Sequence, residues 1–153
     1  MYWLWNVIQH NNTIILYSVS IIMNILALDR WSKRIGVAWM DSTNNIPLPL
    51  WYILNTGDVY FELSALIMKY NITIVVCGSP SWNKNVVDRI NNFIKNLKLC
   101  VPDTVTFTSI DEHYSSTQAS NITGDLWKKH ISQDTVSAMV ILERWKQQSK
   151  SEV

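Results

Sequence analysis

Carboxylates occur at three separated points of this sequence where a strand is expected to end or a helix to begin. The residues are Asp29, Asp111, Glu112 and Asp134. The first three close the apolar runs 25–28 and 105–110, and the fourth opens a helical pattern. Acids placed in this way can meet in the folded chain, where they repel each other unless a cation lies between them. Hard oxygen ligands favour Mg²⁺ or Mn²⁺, so the pattern predicts a site for metal-assisted hydrolysis.

The length and composition of the chain indicate one compact domain. It has 153 residues, of which 48% are hydrophobic and 16% charged, and it contains no biased linker and no internal repeat. A net charge of +1 does not by itself indicate a nucleic-acid-binding protein. Cys77 and Cys100 fit no zinc motif, so we expect two buried, reduced thiols in a cytoplasmic protein.

The first 22 residues are predicted to lie outside the domain. Their apolar run, 14–22, is shorter than the roughly 20 residues that a membrane span needs, and no basic segment precedes it as in a signal peptide. Met23 stands directly before the first clear strand pattern. We therefore predict a non-native or disordered extension at 1–22, a domain at 23–148, a tail at 149–153 and no association with a membrane.

Hydrophobic periodicity predicts the element order βββαβαβαα. The strands are expected at 24–29, 35–39, 50–54, 72–77 and 105–110. The helices are expected after the N-cap residue Asp58, over the apolar face 86–97, in a short segment begun by the capping-box pair Ser115 and Gln118, and from about Asp134 to Gln147.

These elements predict an α/β fold with one mixed sheet. Three short strands in succession favour an antiparallel meander. The strand–helix–strand units that follow require parallel pairing of the first, fourth and fifth strands, with right-handed crossovers. The expected architecture is a five-stranded mixed sheet with helices on both faces, of the ribonuclease H-like kind.

Four segments resemble the YqgF/RuvX family, in the family's order and at compatible spacings. They are DRWSKRIGVA at 29–38 (family pattern D-x-G-T-K-R-I-G-V-A), VVCGSP at 75–80 (V-V-x-G-x-P), DEHYSSTQA at 111–119 (D-E-R-x-[ST]-[ST]-x-x-A), and QDTVSAMVIL at 133–142 (D-x-x-A-A-x-x-I-L), preceded by the basic pair Lys128 and Lys129. The resemblance covers roughly residues 24–145, which is most of the chain.

This resemblance implies a bacterial nuclease that hydrolyses phosphodiester bonds with Mg²⁺ or Mn²⁺. The family is assigned to maturation of the 5′ end of 16S ribosomal RNA and was earlier described as Holliday junction resolvases. The implied partners are structured RNA in a ribosome precursor, or branched DNA, bound by a monomer or homodimer in the cytoplasm. The implied nucleic-acid contacts are Lys33, Arg34, His113, Lys128 and Lys129.

The metal ligands implied by the resemblance are Asp29, Glu112 and Asp134. Asp111 is a further catalytic candidate, but neighbouring strand residues face opposite ways, so only one of Asp111 and Glu112 is expected to reach the metal. We favour Glu112 for that role and expect Asp111 to orient the loop.

Each candidate also has a purely structural explanation. An Asp at the end of a strand can cap a turn, an acid in the first helical turn is favoured by the helix dipole, and basic pairs are often solvated. Two departures from the family pattern, Trp31 for Gly and His113 for Arg, favour a second reading. In that reading the chain is a catalytically inactive ribonuclease H-like module that binds nucleic acid.

The balance of glycine and tryptophan is unusual. The chain has 4 Gly and 8 Trp, whereas about 7% Gly is usual. Four of the tryptophans stand where the family has or tolerates Gly: Trp31, Trp51, Trp82 and Trp127. Our hypothesis is that the source organism reads UGA as glycine and that these positions were translated as Trp.

Overall fold

The structure, a computed structural model, describes residues 3–10, 13–30, 33–111 and 130–151. Its strands are β1 (Trp3–His10), β2 (Thr13–Ser20), β3 (Asn24–Arg30), β4 (Arg34–Asp41), β5 (Leu48–Leu54), β6 (Ile72–Ser79) and β7 (Thr106–Asp111). Its helices are α1 (Val59–Lys69), α2 (Lys84–Lys98) and α3 (Gln133–Ser151). The short helix predicted around Ser115 lies outside the described residues.

The main sheet has five strands in the order β5-β4-β3-β6-β7. β4 pairs antiparallel with both β3 and β5, and β6 pairs parallel with both β3 and β7. β3 is the central strand of the sheet. Its residues 25–28 are all fully buried, as expected for a strand that is apolar on both faces. The predicted five-stranded mixed sheet is confirmed, with its antiparallel meander and its parallel pairing of the first, fourth and fifth strands.

The core lies on both faces of this sheet. One face carries Leu26 and Leu28 of β3 and is covered by apolar side chains of α1 and α2, including Leu63 and Phe93. The other face carries Ile25, Ala27, Ala38 and Met40 and is covered by α3. The small side chains under α3 leave room for that helix to lie close to the strands.

Residues 3–20 form a separate two-stranded sheet. β1 and β2 pair antiparallel, from Trp3 opposite Ser20 to His10 opposite Thr13. The hypothesis that the native protein starts at Met23 remains a prediction, as do the domain bounds 23–148 and the tail. No helix within the described part of the chain is both long and apolar enough to cross a membrane.

The environments of the tryptophans sharpen the recoding hypothesis. Trp51 and Trp82 are 57% and 64% exposed, whereas Trp145 packs against the core under α3. Trp31 and Trp127 lie outside the described residues. We therefore expect mass spectrometry of native tryptic peptides to find Gly at 51 and 82 but Trp at 145. Tryptophan at 51 and 82, or TGG codons there, would contradict the recoding hypothesis.

The same measurement tests the predicted extension at 1–22. We expect no native peptide from these residues, and such a peptide would contradict the start at Met23.

Candidate active site

Asp29 lies near the carboxyl end of β3, on the sheet face that α3 covers. It follows Ala27 by two residues, alternate residues of a strand share a face, and Ala27 packs in the core under α3. Asp29 is only 2% exposed. A carboxylate at the end of a strand offers the hard oxygen donors that Mg²⁺ and Mn²⁺ prefer. The position therefore suits a ligand for a cation at this edge of the sheet.

Gly36 brings the start of α3 onto the sheet. It is paired with Asp29 across the β3–β4 ladder. A Cβ atom added to Gly36 would overlap the backbone carbonyl group of Asp134 and lie 2.8 Å from the backbone nitrogen of Thr135. The first turn of α3 therefore rests directly on the β4 backbone, where only glycine leaves enough space.

The same contact places Asp134 on the sheet face that carries Asp29. Residues directly opposite each other in an antiparallel pair have Cα atoms about 4.5–5.5 Å apart. The backbone of Asp134 covers Gly36, which is the residue opposite Asp29. Two acidic residues far apart in the sequence thus lie on one face of the sheet. Their role as metal ligands remains a prediction.

Hydrogen bonds around Ser132 and Thr135 hold the first turn of α3. The Thr135 hydroxyl, which is fully buried, donates to the backbone oxygen of Trp51 on β5 (2.8 Å). The Ser132 hydroxyl must then donate in the 2.8 Å contact between the two hydroxyls, and its oxygen accepts from the Thr135 backbone N–H (3.2 Å). Ser132 is thus the N-cap that fixes Asp134 against β4 and β5.

Removing this cap should loosen the helix start. We expect Ser132→Ala to lower the free energy of unfolding by about 1 kcal/mol, the usual cost of losing a helix N-cap, measured by urea denaturation. Ser149→Ala, in the exposed last turns of the same helix, removes only a hydroxyl bonded to the Lys146 carbonyl and should change little. Equal stability of the two variants would show that Ser132 does not fix the helix start.

Asp134 carries the clearest electrostatic signal of the site. Its residue is 8% exposed, and its Oδ2 lies 2.9 Å from Nε of Arg34. Among the described residues no donor is directed at Oδ2 in hydrogen-bond geometry, so the contact with Arg34 is one of charge. The helix N-terminus adds a favourable potential for the negative charge.

Arg34 is held over an aromatic ring. Its side chain is 49% exposed, and its guanidinium carbon lies 5.0 Å from the centre of the Tyr52 ring. Tyr52 pairs with Gly36 on the other side of β4. The pair of Arg34 and Tyr52 therefore borders the carboxylates on the side of β5.

These residues fit a divalent cation. The donors are oxygens of two buried carboxylates, the kind of ligand that Mg²⁺ prefers. One of them, Oδ2 of Asp134, is buried without a directed donor from any described residue. No group of three or more His, Cys, Asp or Glu residues that could hold a metal occurs within the described ranges. The third predicted ligand, Glu112, lies outside them.

Asp111 is engaged with the loop after β6. Its Oδ1 accepts from the Ser81 backbone N–H (3.1 Å), and its Oδ2 accepts from the Ser81 hydroxyl (2.7 Å). Ile110 packs in the core under α3, so strand alternation directs Asp111 to the opposite face of the sheet. The observed bonds suit the loop-orienting role expected for Asp111, and they do not place it with Asp29 and Asp134.

The predicted nucleic-acid contacts are only partly within the described chain. Lys33 is exposed just before β4, and its backbone oxygen accepts from Asn55 (2.9 Å). Arg34 follows it and contacts Asp134. The other predicted contacts, His113, Lys128 and Lys129, lie outside the described residues, as does Trp31.

Sequence reasoning missed Gly36 and Tyr52 as parts of the site. One signal for Gly36 was present, because glycine inside a strand pattern often marks a close backbone approach and the chain has only 4 glycines. No signal marked Tyr52 or the pairing of Arg34 with Asp134, since both depend on how distant segments pack.

The strand order of the sheet, with Asp29 near the end of the central strand β3, defines a ribonuclease H-like fold. The structure is similar to that of "T. thermophilus RuvC in complex with Holliday junction substrate", with a TM-score of 0.50 and 8% sequence identity over 78% of this chain and 90% of that chain. At this identity the similarity shows the fold alone, and it confirms the predicted fold class.

The sequence also matches a known family. The family described as "RuvX: Holliday junction resolvase" matches residues 23–148. A protein of Sulfurihydrogenibium sp. is 32% identical over 127 residues, covering 79% of this chain and 88% of that protein. A Helicobacter pylori protein is 37% identical over 136 residues, covering 81% and 96%. Both carry the name "Putative pre-16S rRNA nuclease". The chain belongs to the RuvX family, which confirms the predicted resemblance.

Proposed function

We propose that this protein is a divalent-metal-dependent nuclease that hydrolyses phosphodiester bonds in precursor 16S ribosomal RNA, at the 5′ end, in the cytoplasm. The observation that carries the proposal is the placement of Asp29 and Asp134 on one sheet face by the contact of α3 with Gly36. The names of the relatives that match about four fifths of the chain support the substrate.

Asp29 and Asp134 would hold Mg²⁺ or Mn²⁺, with Glu112 as the third ligand. When bound, the cation supplies charge stabilisation at the phosphoryl oxygens and activation of a water nucleophile. Asp29 would bind from the sheet and Asp134 from the helix, so the relative position of the two ligands depends on the packing of α3. Their burial excludes bulk water and strengthens electrostatic interactions within the site.

Lys33 and Arg34 would grip the phosphate backbone beside the cleavage site. Most of the affinity of proteins for nucleic acids arises from cationic side chains that neutralise phosphates. The net charge is only +1, so binding must depend on such local groups. Lys33 is exposed and Arg34 is half exposed. We expect His113, Lys128 and Lys129 to extend the same surface.

The direct test is cleavage of a precursor 16S transcript that retains its 5′ leader, with mapping of the new 5′ ends. We expect cleavage in Mg²⁺ or Mn²⁺ and none in EDTA. Binding of the transcript without cleavage in either metal would instead support the inactive nucleic-acid-binding module, the reading that Trp31 in place of the family's Gly favours.

A second candidate substrate is branched DNA. The description of the matching family and the Holliday junction bound in the RuvC structure favour it. Both substrates would be gripped through phosphates, so the rate of cleavage, rather than binding, separates them. The measurement is cleavage of a four-way DNA junction and of the precursor transcript mixed in one reaction. Faster cleavage of the junction would make it the substrate.

A further inference from the structure

Arg34 contacts Asp134, one of the proposed metal ligands. Its Nε lies 2.9 Å from Oδ2 of Asp134, and this oxygen has no donor directed at it from any described residue. The two side chains differ in exposure, because that of Asp134 is 11% exposed and that of Arg34 is 49% exposed. The Asp134 carboxylate is therefore held in place, whereas the Arg34 guanidinium has one side open to solvent.

A metal ligand and an ion-pair partner compete for the same oxygen. Mg²⁺ binds carboxylate oxygens at about 2.0–2.1 Å, so a cation bound to Oδ2 would lie close to the guanidinium group and repel it. The guanidinium is singly charged and half exposed, and the carboxylate is fixed by the first turn of α3. The group that moves must be Arg34.

We propose that Arg34 is a built-in counter-cation that exchanges with the metal. Without metal it neutralises Asp134, and when a divalent cation binds there it moves away and becomes available to a substrate phosphate. This inference rests on the proposed function, because it takes Asp134 as a ligand. It adds a regulation of that site, in which metal loading prepares the phosphate grip.

Tyr52 explains how the exchange can keep Arg34 close to the site. Its ring lies 5.0 Å from the guanidinium carbon, a distance at which cation–π attraction operates. A planar guanidinium can slide over this ring when it leaves Asp134 and still present its donors to a phosphate.

The exchange makes a prediction about metal affinity that needs no cleavage assay. Mn²⁺ binding to the substrate-free full-length protein should be roughly three- to tenfold tighter in Arg34→Gln than in the wild type, since an ion pair of this exposure is modest. Arg34→Lys keeps the charge and should stay near the wild type. Arg89→Gln is the matched control, because Arg89 is exposed on α2, on the opposite face of the sheet, and its hydrogen bond within the described chain is local, to the Asn85 carbonyl.

Thermal unfolding supplies a second readout. Without metal, Arg34→Gln should melt below the wild type, because Asp134 has lost its partner. Saturating Mn²⁺ should then raise the Tm of Arg34→Gln by more than that of the wild type, because tighter binding stabilises the folded state further. For a short oligonucleotide from the precursor 5′ end, the loss of affinity in Arg34→Gln should be greater in Ca²⁺ than in EDTA.

The outcomes separate this inference from the proposed function. Equal or weaker Mn²⁺ binding in Arg34→Gln overturns the exchange and leaves the nuclease proposal intact. Undiminished Mn²⁺ binding in Asp29→Asn counts against the proposed ligand set, whereas the comparison at Arg34 still decides the exchange. If neither the wild type nor Arg34→Gln binds Mn²⁺, both proposals fail. Binding by Arg34→Gln alone would be the strongest support for the exchange.

Discussion

Asp29→Asn should lower the rate of Mg²⁺-dependent cleavage of precursor 16S RNA by roughly a thousandfold. The substitution keeps the size of the side chain but replaces a charged oxygen ligand by a weak neutral one, at a position that is 2% exposed. Metal stabilisation of phosphoryl charge contributes several kcal/mol, and each 1.4 kcal/mol or so corresponds to a factor of ten in rate. The measurement is single-turnover cleavage at saturating Mg²⁺.

Stability measurements distinguish a lost ligand from a lost fold. Asn has nearly the shape of Asp and keeps one acceptor oxygen, so Asp29→Asn should remain folded, with a Tm close to that of the wild type when no metal is present. Asp88→Asn makes the same chemical change at an exposed position of α2 and should cleave normally. Cleavage by Asp29→Asn at the wild-type rate would rule out the proposed site.

Gly36→Ala should have the largest effect on stability. The added Cβ would overlap the backbone carbonyl of Asp134 and crowd the Thr135 nitrogen. Both neighbours are backbone atoms, so the overlap cannot be relieved by a side-chain rotation. We expect the free energy of unfolding to fall by about 3 kcal/mol, the upper end for overpacking in a core. Cleavage should fall as well, because the first turn of α3 carries Asp134.

Gly57→Ala is the matched control for Gly36→Ala. A Cβ at Gly57 meets nothing within 4 Å, and none of the described glycines has a positive φ. The change should therefore be neutral or slightly stabilising, by up to about 1 kcal/mol. Urea denaturation of both variants measures the difference. If Gly36→Ala matched Gly57→Ala, the close packing of α3 on β4 would be disproved.

The two variants test different parts of the same arrangement. Asp29→Asn changes the chemistry of one ligand and leaves the packing intact, whereas Gly36→Ala changes the position of Asp134 and leaves both carboxylates in the chain. If the sheet and the helix share one site, Asp29→Asn should lose cleavage and keep normal stability. Gly36→Ala should lose both cleavage and stability.

Most of the fold could be predicted from local pattern. The doubly apolar run 25–28 marked the central strand, the apolar spacing in 86–97 marked α2, and two strand–helix–strand units required parallel pairing. The observed elements extend past the predicted ends, as in β4 and α3, because backbone hydrogen bonding continues beyond the last apolar residue. Asp58 does precede α1, but it makes no side-chain cap bond, so propensity identified the boundary and not the contact.

By itself, the sequence determined which residue types could bind a cation, where the strands and helices lie, and which family the chain resembles. Periodicity and short motifs encode these properties because they depend on neighbours within a few residues. Only the tertiary structure decided that Gly36 admits the start of α3, that Asp134 is thereby placed on the sheet face that carries Asp29, and that Arg34 pairs with Asp134 over Tyr52. These contacts depend on the distance between packed backbones, which no single segment of the chain specifies.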